Sequence, residues 1–378
     1  MPAKDSSPKD RVDKAIAFQK ADRTPRDFAA VPEVWEKLIE RFGTKDRKEV
    51  LKRLGVDCRI VSYDSFCRPP GIDPEGVDLN ASQERSSVGG MWRKVEPDGS
   101  NRDIWGAHRK KVPARSGALD QFASFPLESA QSVDDLKKYP WPQPDWWNFD
   151  DLRSFIEELN DTAIYNIRYR LGSVFETAWS LYNFEKFLLD LALNPEMPLY
   201  VMECIAEVHL ENLRAVLEAA GDLIDIVYFY DDVASQDGLL IGPEMYGKLI
   251  QPFHQKIIDT AASAGKPVMM HSCGSVYPMI DRFIDMGVRI LNPVQPGARD
   301  MDLERLADQF GGRIAFHGGI DIQTFLPYAS PGQVREKVDY TAELLGACGG
   351  YIMAGSHHIQ ADTPVENILA MYQVSGGE

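Results

Sequence analysis

The four residues His271-Ser272-Cys273-Gly274 are the part of this chain best equipped for chemistry. In an extended segment residues i and i+2 point to one face, so the imidazole of His271 and the thiol of Cys273 stand side by side. An imidazole and a thiolate are two good zinc ligands, and a catalytic zinc site uses few protein ligands and leaves one position open. A third ligand has to come from elsewhere, and His357 and His358, which follow another apolar run, are the candidates. The plain alternative is a cysteine buried as a small hydrophobe beside a histidine satisfied by backbone. The His357-His358 pair at a second strand end weighs against it.

Other polar groups fall at comparable places. Asp231-Asp232 close the run IDIVYFYDD. A carboxylate there could complete a metal site, orient a ligand histidine or hold a substrate donor. Adjacent strand residues face opposite ways, so one of the two is expected only to cap or to fix a loop. Arg168 and Arg170 share a face. They could clamp a substrate carboxylate, or one could pair with an internal acid across a barrel mouth. Glu176, in GSVFET, competes with Asp231, Asp232 and water to be the remaining metal ligand; a helix N-terminal Glu is its bland reading. Asn292 and Gln295 place amide side chains at another run's end. His317-Gly318-Gly319-Ile320-Asp321 combines a histidine and an acid with glycines that leave room for a flat ligand. These six residues, Asn292, Gln295, His317, Gly318, Gly319 and Asp321, form the candidate cofactor surface. The aromatic run 227–230 reads as core, and His108, His209 and His254 as structural.

The elements that must position these groups alternate. Apolar runs at 56–63, 163–170, 224–232, 267–274, 288–296, 313–321 and 350–358 are short, as strands buried on both faces should be. Helical segments such as NPEMPLYVMECIAEVHLENLRAVLEAAG and SPGQVREKVDYTAELLGA lie between them. Alternation implies a parallel sheet. Polar groups spread over so many strand ends favour a closed (β/α)8 TIM barrel, whose active site lies at the C-terminal strand ends, over an open sheet with one switch point. There is no GxGxxG or P-loop. The expected organisation is a polar, disordered lead over residues 1–10 and one barrel domain over 11–378. That domain starts with helices near 11–19, after DRTPRDFAA and at DRKEVLKRLG, and carries a β-hairpin insertion at about 87–113 around Pro97-Asp98-Gly99-Ser100. The Pro- and Trp-rich stretch 139–149 suits a packed connector.

Composition narrows the function further. The chain has 378 residues and a formal net charge of −16. Such a surface repels phosphate backbones and anionic lipid, so neither nucleic acid nor a membrane is an expected partner. Five cysteines, an odd number at irregular spacing, suggest reduced thiols. With no apolar leader in MPAKDSSPKD and no apolar stretch of membrane-spanning length, a cytoplasmic protein is expected. A homodimer is compatible with a barrel of this size.

Several segments together resemble the uroporphyrinogen decarboxylase superfamily. The resemblance covers almost the whole chain. It begins at DRTPRDFAAVPEVWEKLIERFG and VDCRIVSY and is strongest through HSCGSVYPMIDRFIDMGVRILNPVQPGARDMDLERLADQFGGRIAFHGGIDIQ and YIMAGSHHIQADTPVENILAMY. It implies the β/α barrel independently. It also implies one of two activities: metal-free decarboxylation of a tetrapyrrole, or zinc-dependent methyl transfer to or from a corrinoid protein. The decarboxylases carry a run like R-Q-A-G-R after the DR-x-P segment. Here it reads RDFAAVPEVW, in which Arg26 is present but the paired arginines are not. The methyltransferases carry H-x-C and a later Cys as zinc ligands. His271 and Cys273 match the first two, and alignment on Thr363-Pro364-Val365-Glu366-Asn367-Ile368 puts His357 at the third. Imidazole in place of thiolate makes the site more positive, a harder Lewis acid suited to an oxygen-bearing substrate. The resemblance is closest to the subgroup associated with O-demethylation. It implies zinc, a small methoxylated or N-methylated methyl donor, and cobalamin carried by a corrinoid-binding partner, since the chain has no DxHxxG signature. The alternative it implies is a decarboxylase or lyase using Arg168, Arg170 and Asp231 on a carboxylated substrate.

Overall fold

Seven of the apolar runs become seven strands, all parallel and hydrogen-bonded in chain order. They are β1 (Cys58–Ser62), β2 (Asn166–Arg170), β3 (Ile226–Tyr230), β4 (Val268–His271), β5 (Val288–Val294), β6 (Ala315–Ile320) and β7 (Tyr351–Gly355). The computed structural model describes residues 6–70, 93–114, 117–160 and 162–374. Helices cover the outside, among them Glu196–Ala220, Gln251–Ser263 and Pro331–Leu345. The last starts at a capping box in which Ser330 and Gln333 satisfy each other's backbone N–H groups. No helix among the described residues is long and apolar enough to cross a membrane. All five cysteines are free.

An eighth position closes the ring, and sequence periodicity does not reveal it. The segment 25–31, expected to be a loop before a helix, pairs in parallel with β7 and its extension through Arg26–Met353 and Ala30–Ile359 bridges. On its other side the carbonyl of Arg26 accepts from the N–H of Asp57, just before β1. The segment is thus strand-like by long-range pairing, and it brings Asp27 into the barrel.

The inner face is layered with period two. At the N-terminal ends of the strands Cys58, Ile226, Met269, Ile290, Ala315 and Ile352 form an apolar layer, sealed by Val12 and Ala15 of the helix Pro8–Ile16. That helix corrects the expected lead: its N-cap is Ser7, which forms a capping box with Asp10, so residues 6–10 are structured. Residues 1–5 lie outside the described part.

The insertion is larger than one hairpin. Arg93–Val95, Asn101–Asp103, His108–Ala114 and Gly117–Ser124 form a four-stranded antiparallel sheet, extending past residue 113, while 87–92 lie outside the described residues. The turn at Pro97-Asp98-Gly99-Ser100 is as expected, with Gly99 at φ +81°. The sheet is anchored by a buried Arg109–Asp103 ion pair at 2.6 Å and by the Phe122 ring packed edge-on against Trp179. The 139–149 connector is packed too, its Trp147 indole donating to the carbonyl of Tyr63.

Candidate functional site

Two residues beyond the apolar layer, each strand presents a different kind of side chain. Ile60, Arg168, Tyr228, His271, Asn292, His317 and Ala354 all line one cavity of about 620 Å³, open to solvent, with Asp27, Arg170, His357 and His358 above and beside them. The alternation of the pleat turns an apolar floor into a polar site within a single step of two residues. Register completes the alignment, since His271 is level with Tyr230 on one neighbour and Asn292 on the other.

The side chains of His271, Cys273 and His357 converge there, one potential ligand atom from each lying within 4.8 Å of the others. The Nδ1 of His271 is 2.6 Å from Oδ1 of Asn292 and its Nε2 is 3.2 Å from Sγ of Cys273. With a proton on Nδ1 the ring would donate to Asn292 and leave the Nε2 lone pair facing the thiol, the arrangement a metal-ligating histidine needs. Burial, with His271 nearby, lowers the His357 pKa to about 4, so its imidazole is neutral at pH 7. Burial, then Asp232 and Glu176, push the Cys273 thiol up. A thiol beside carboxylates loses its proton to solvent readily only when a cation takes the sulfur and stabilises the thiolate, so this donor set fits a zinc ion chemically. His358 packs against His357, with ring centroids 4.9 Å apart, and lines the cavity without joining the three.

The two aspartates divide their roles. Asp231 is fully buried and accepts from the N–H groups of Val174, Phe175 and Glu176 at 2.7–2.8 Å, capping the helix Phe175–Tyr182. Its Oδ2 also meets Nε2 of His254 at 2.8 Å. Both oxygens of Asp231, expected among the catalytic residues, are thus engaged in holding a helix. Asp232 points the other way. It accepts from the N–H of Cys273 at 2.7 Å and its Oδ1 lies 3.7 Å from Nε2 of His271, so it borders the site directly. Glu176 is buried next to them, its carboxyl pushed well above the usual range by burial and then by Asp232 and Asp231. It is not one of the three groups whose ligand atoms converge.

The arginines are also split. Arg168 forms a 2.5 Å ion pair with Asp27, the internal-acid arrangement rather than a free clamp. Arg170 lines the cavity and donates to Oγ of Ser62 from Nε and Nη2. Asp27 also accepts from Nε2 of His317 at 2.8 Å, and Nδ1 of His317 is 2.6 Å from Nδ2 of Asn292. Sequence reasoning missed Asp27. An acid set directly before the apolar run Phe28-Ala29-Ala30-Val31 was the available signal. Tyr228, read as core, instead faces the cavity with its hydroxyl 3.3 Å from Nδ1 of His271.

The rest of the candidate cofactor surface serves the scaffold. Gln295 accepts from the N–H of Gly274, and Ser272 Oγ from the N–H of Val233, so every residue of the His271–Gly274 turn is tied down. Gly274 has φ +84°, and a Cβ there would lie 2.3 Å from the Ser235 carbonyl oxygen. Gly318 and Gly319, expected to admit a flat ligand, instead admit protein: a Cβ on the first would press on Val294 and Pro293, and on the second Thr341, Leu345 and Tyr351. Asp321 closes a local turn by accepting from the N–H groups of Gln323 and Thr324. Strand-end position alone does not say which face a residue takes. His209 and His254 are structural as expected, the latter bridging Asp231 and Tyr246.

Residues 128–375 match the family described as uroporphyrinogen decarboxylase (URO-D). No curated protein matches the chain in a sequence comparison. Among solved structures, a methyltransferase from Methanosarcina mazei superposes with a TM-score of 0.63 at 14% identity, covering 97% of this chain and 98% of that one. A putative vitamin-B12-independent methionine synthase from Listeria monocytogenes gives a TM-score of 0.40 at 10% identity, over 93% and 94% of the two chains. The first similarity is one of fold, and the second is too distant to add to it.

Proposed function

The chain belongs to the uroporphyrinogen decarboxylase family, and from that premise we propose that it is a zinc-dependent methyltransferase, moving a methyl group from a small methoxylated or N-methylated compound to the corrinoid of a partner protein. The observation that carries this reading is the convergence of His271, Cys273 and His357, two of which, His271 and His357, line the cavity. Zinc held by these three would act as a Lewis acid, stabilising the charge left on the donor oxygen or nitrogen as the methyl group departs.

The chain's own residues do the remaining work. Asp232 and Gln295 hold the backbone of Cys273 and Gly274, fixing the thiol against His271. Tyr228, Ile60 and Phe28 supply apolar and aromatic walls for a small organic donor, and Arg170 places positive charge near it. The cavity opens at the C-terminal strand ends, where a partner can present its cofactor.

The carboxy-lyase alternative is less well supported. It needs Arg168 and Arg170 together, and Arg168 has its charge matched by Asp27. Metal analysis of protein purified without chelator tests the main reading. Close to one zinc per chain, lost in Cys273→Ala, followed by methyl transfer to a reduced corrinoid protein, is the expected result. A metal-free native protein, or carbon dioxide release with no corrinoid partner, overturns it.

A further inference from the structure

The polar groups of the barrel interior form a chain with a direction. It runs from Arg168 to Asp27 at 2.5 Å, to His317 at 2.8 Å, to Asn292 at 2.6 Å and to His271 at 2.6 Å. Asp27, His317 and Asn292 are buried. We propose that Asp27, His317 and Asn292 are positioning residues that hold His271 in its Nδ1–H tautomer, keeping the Nε2 lone pair available to a metal. The proposal rests on the metal-site reading above.

Hydrogen-bond polarity is the argument. A carboxylate receiving a guanidinium can only accept. Asp27 therefore requires a proton on Nε2 of His317. That leaves Nδ1 of His317 as an acceptor, which orients Asn292 with its NH2 toward it. The Asn292 oxygen then faces His271 and requires a proton on Nδ1 there. If the Asn292 amide were reversed, its NH2 would donate to Nδ1 of His271 and the ring proton would move to Nε2, where it blocks the metal. Reversal would also put the proton of His317 on Nδ1 and turn the Nε2 lone pair toward the Asp27 carboxylate at 2.8 Å, with the Nη1 of Arg168 only at the longer distance of 3.5 Å, a costly contact in a buried site. The hydroxyl of Tyr228 lies 3.3 Å from Nδ1 of His271, a longer contact than the 2.6 Å to Asn292. Asp27 thus governs a ring it does not touch, from the segment that closes the barrel.

Long-range proton–nitrogen NMR of the metal-free wild-type protein reads the tautomer directly, with His271→Gln identifying the signals. A protonated Nδ1 with a bare Nε2 is expected, and a protonated Nε2 overturns the proposal. Zinc competition against a chromophoric chelator gives the second readout. His317→Leu should weaken binding by about 10–100-fold, while His317→Gln, whose amide can accept from Asn292 and donate to Asp27, should recover most of it. Equal affinity of wild type and His317→Leu also overturns the proposal. If His317→Leu does not fold, the wild-type spectrum still decides. If the wild type binds no zinc at all, the proposed function fails, while the spectrum still tests the relay by itself.

Discussion

The guanidinium of Arg168 lies 2.5 Å from the carboxylate of Asp27, across the junction where segment 25–31 closes the barrel between its last and first strands. Both side chains are under a tenth exposed. The pair couples ring closure to the site, because the same carboxylate oxygen receives His317.

Removing one partner of such a pair strands a buried charge. Asp27→Ala should destabilise the protein by about 3–5 kcal/mol in urea denaturation, and Asp27→Leu combined with Arg168→Met should recover most of that loss. Arg168 and His317 hold the Asp27 carboxyl below its ordinary range despite burial. A carboxyl depressed in the folded state contributes stability that is complete above its unfolded value of about 3.9 and fades as pH falls below it. Wild type should therefore lose this contribution in acid, and the double variant should not.

Acid should act earlier through histidine. Burial lowers the pKa of His209 to about 4, and it is completely enclosed beside Tyr63 and Trp105. Its neutral form is the one that fits, so its contribution is present above the unfolded value of about 6.5 and is lost as pH falls from there to about 4, at roughly 1.4 kcal/mol per pH unit. His209→Gln should reduce the slope over that window by roughly 1.4 kcal/mol per pH unit, leaving the part due to His317, His357 and His358, which burial also lowers. An unchanged slope in the variant would refute the assignment.

The two adjacent aspartates should separate cleanly. Asp231→Ala removes the acceptor for three helix amides and His254. It should cost more than about 3 kcal/mol, given 1.5–3 kcal/mol for a hydrogen bond to a charge. Asp232 has a side chain 33% exposed, and Asp232→Ala should cost less than about 1.5 kcal/mol while changing metal affinity and turnover. Urea titration and metal competition on the two variants provide the check.

Gly274→Ala tests the turn that presents Cys273. The added Cβ meets the Ser235 carbonyl at 2.3 Å in a left-handed backbone conformation, so the turn has to move. A loss of about 1–3 kcal/mol is expected, together with faster reaction of Cys273 with a thiol reagent as the turn loosens. Wild-type thiol reactivity in the variant would show that the turn does not depend on glycine.

Much of this was legible in the residues. The His271-Ser272-Cys273-Gly274 turn is contiguous, its strand is apolar, and i, i+2 spacing settles which side chains share a face. Polar groups at strand ends offered His357 and His358 alike, and the family resemblance singled out His357. What escaped was set by partners far along the chain. Asp27 sits in a segment whose strand character exists only through pairing with Met353 and Ile359, so no local period marks it. Asp231 and Asp232 could be told to diverge, but not which one faces the site. Gly318, Gly319 and Asp321 stand at a strand end yet look toward protein or a local turn.

Local sequence thus determined the seven strands, their alternation with helices and the candidate ligand residues, because short-range periodicity and side-chain chemistry are written in neighbouring residues. Tertiary structure alone decided the closure of the ring, the Arg168–Asp27 pairing and the direction of the hydrogen-bond chain ending at His271. Those depend on which atoms meet across the barrel, and burial makes each such meeting, or its absence, energetically decisive.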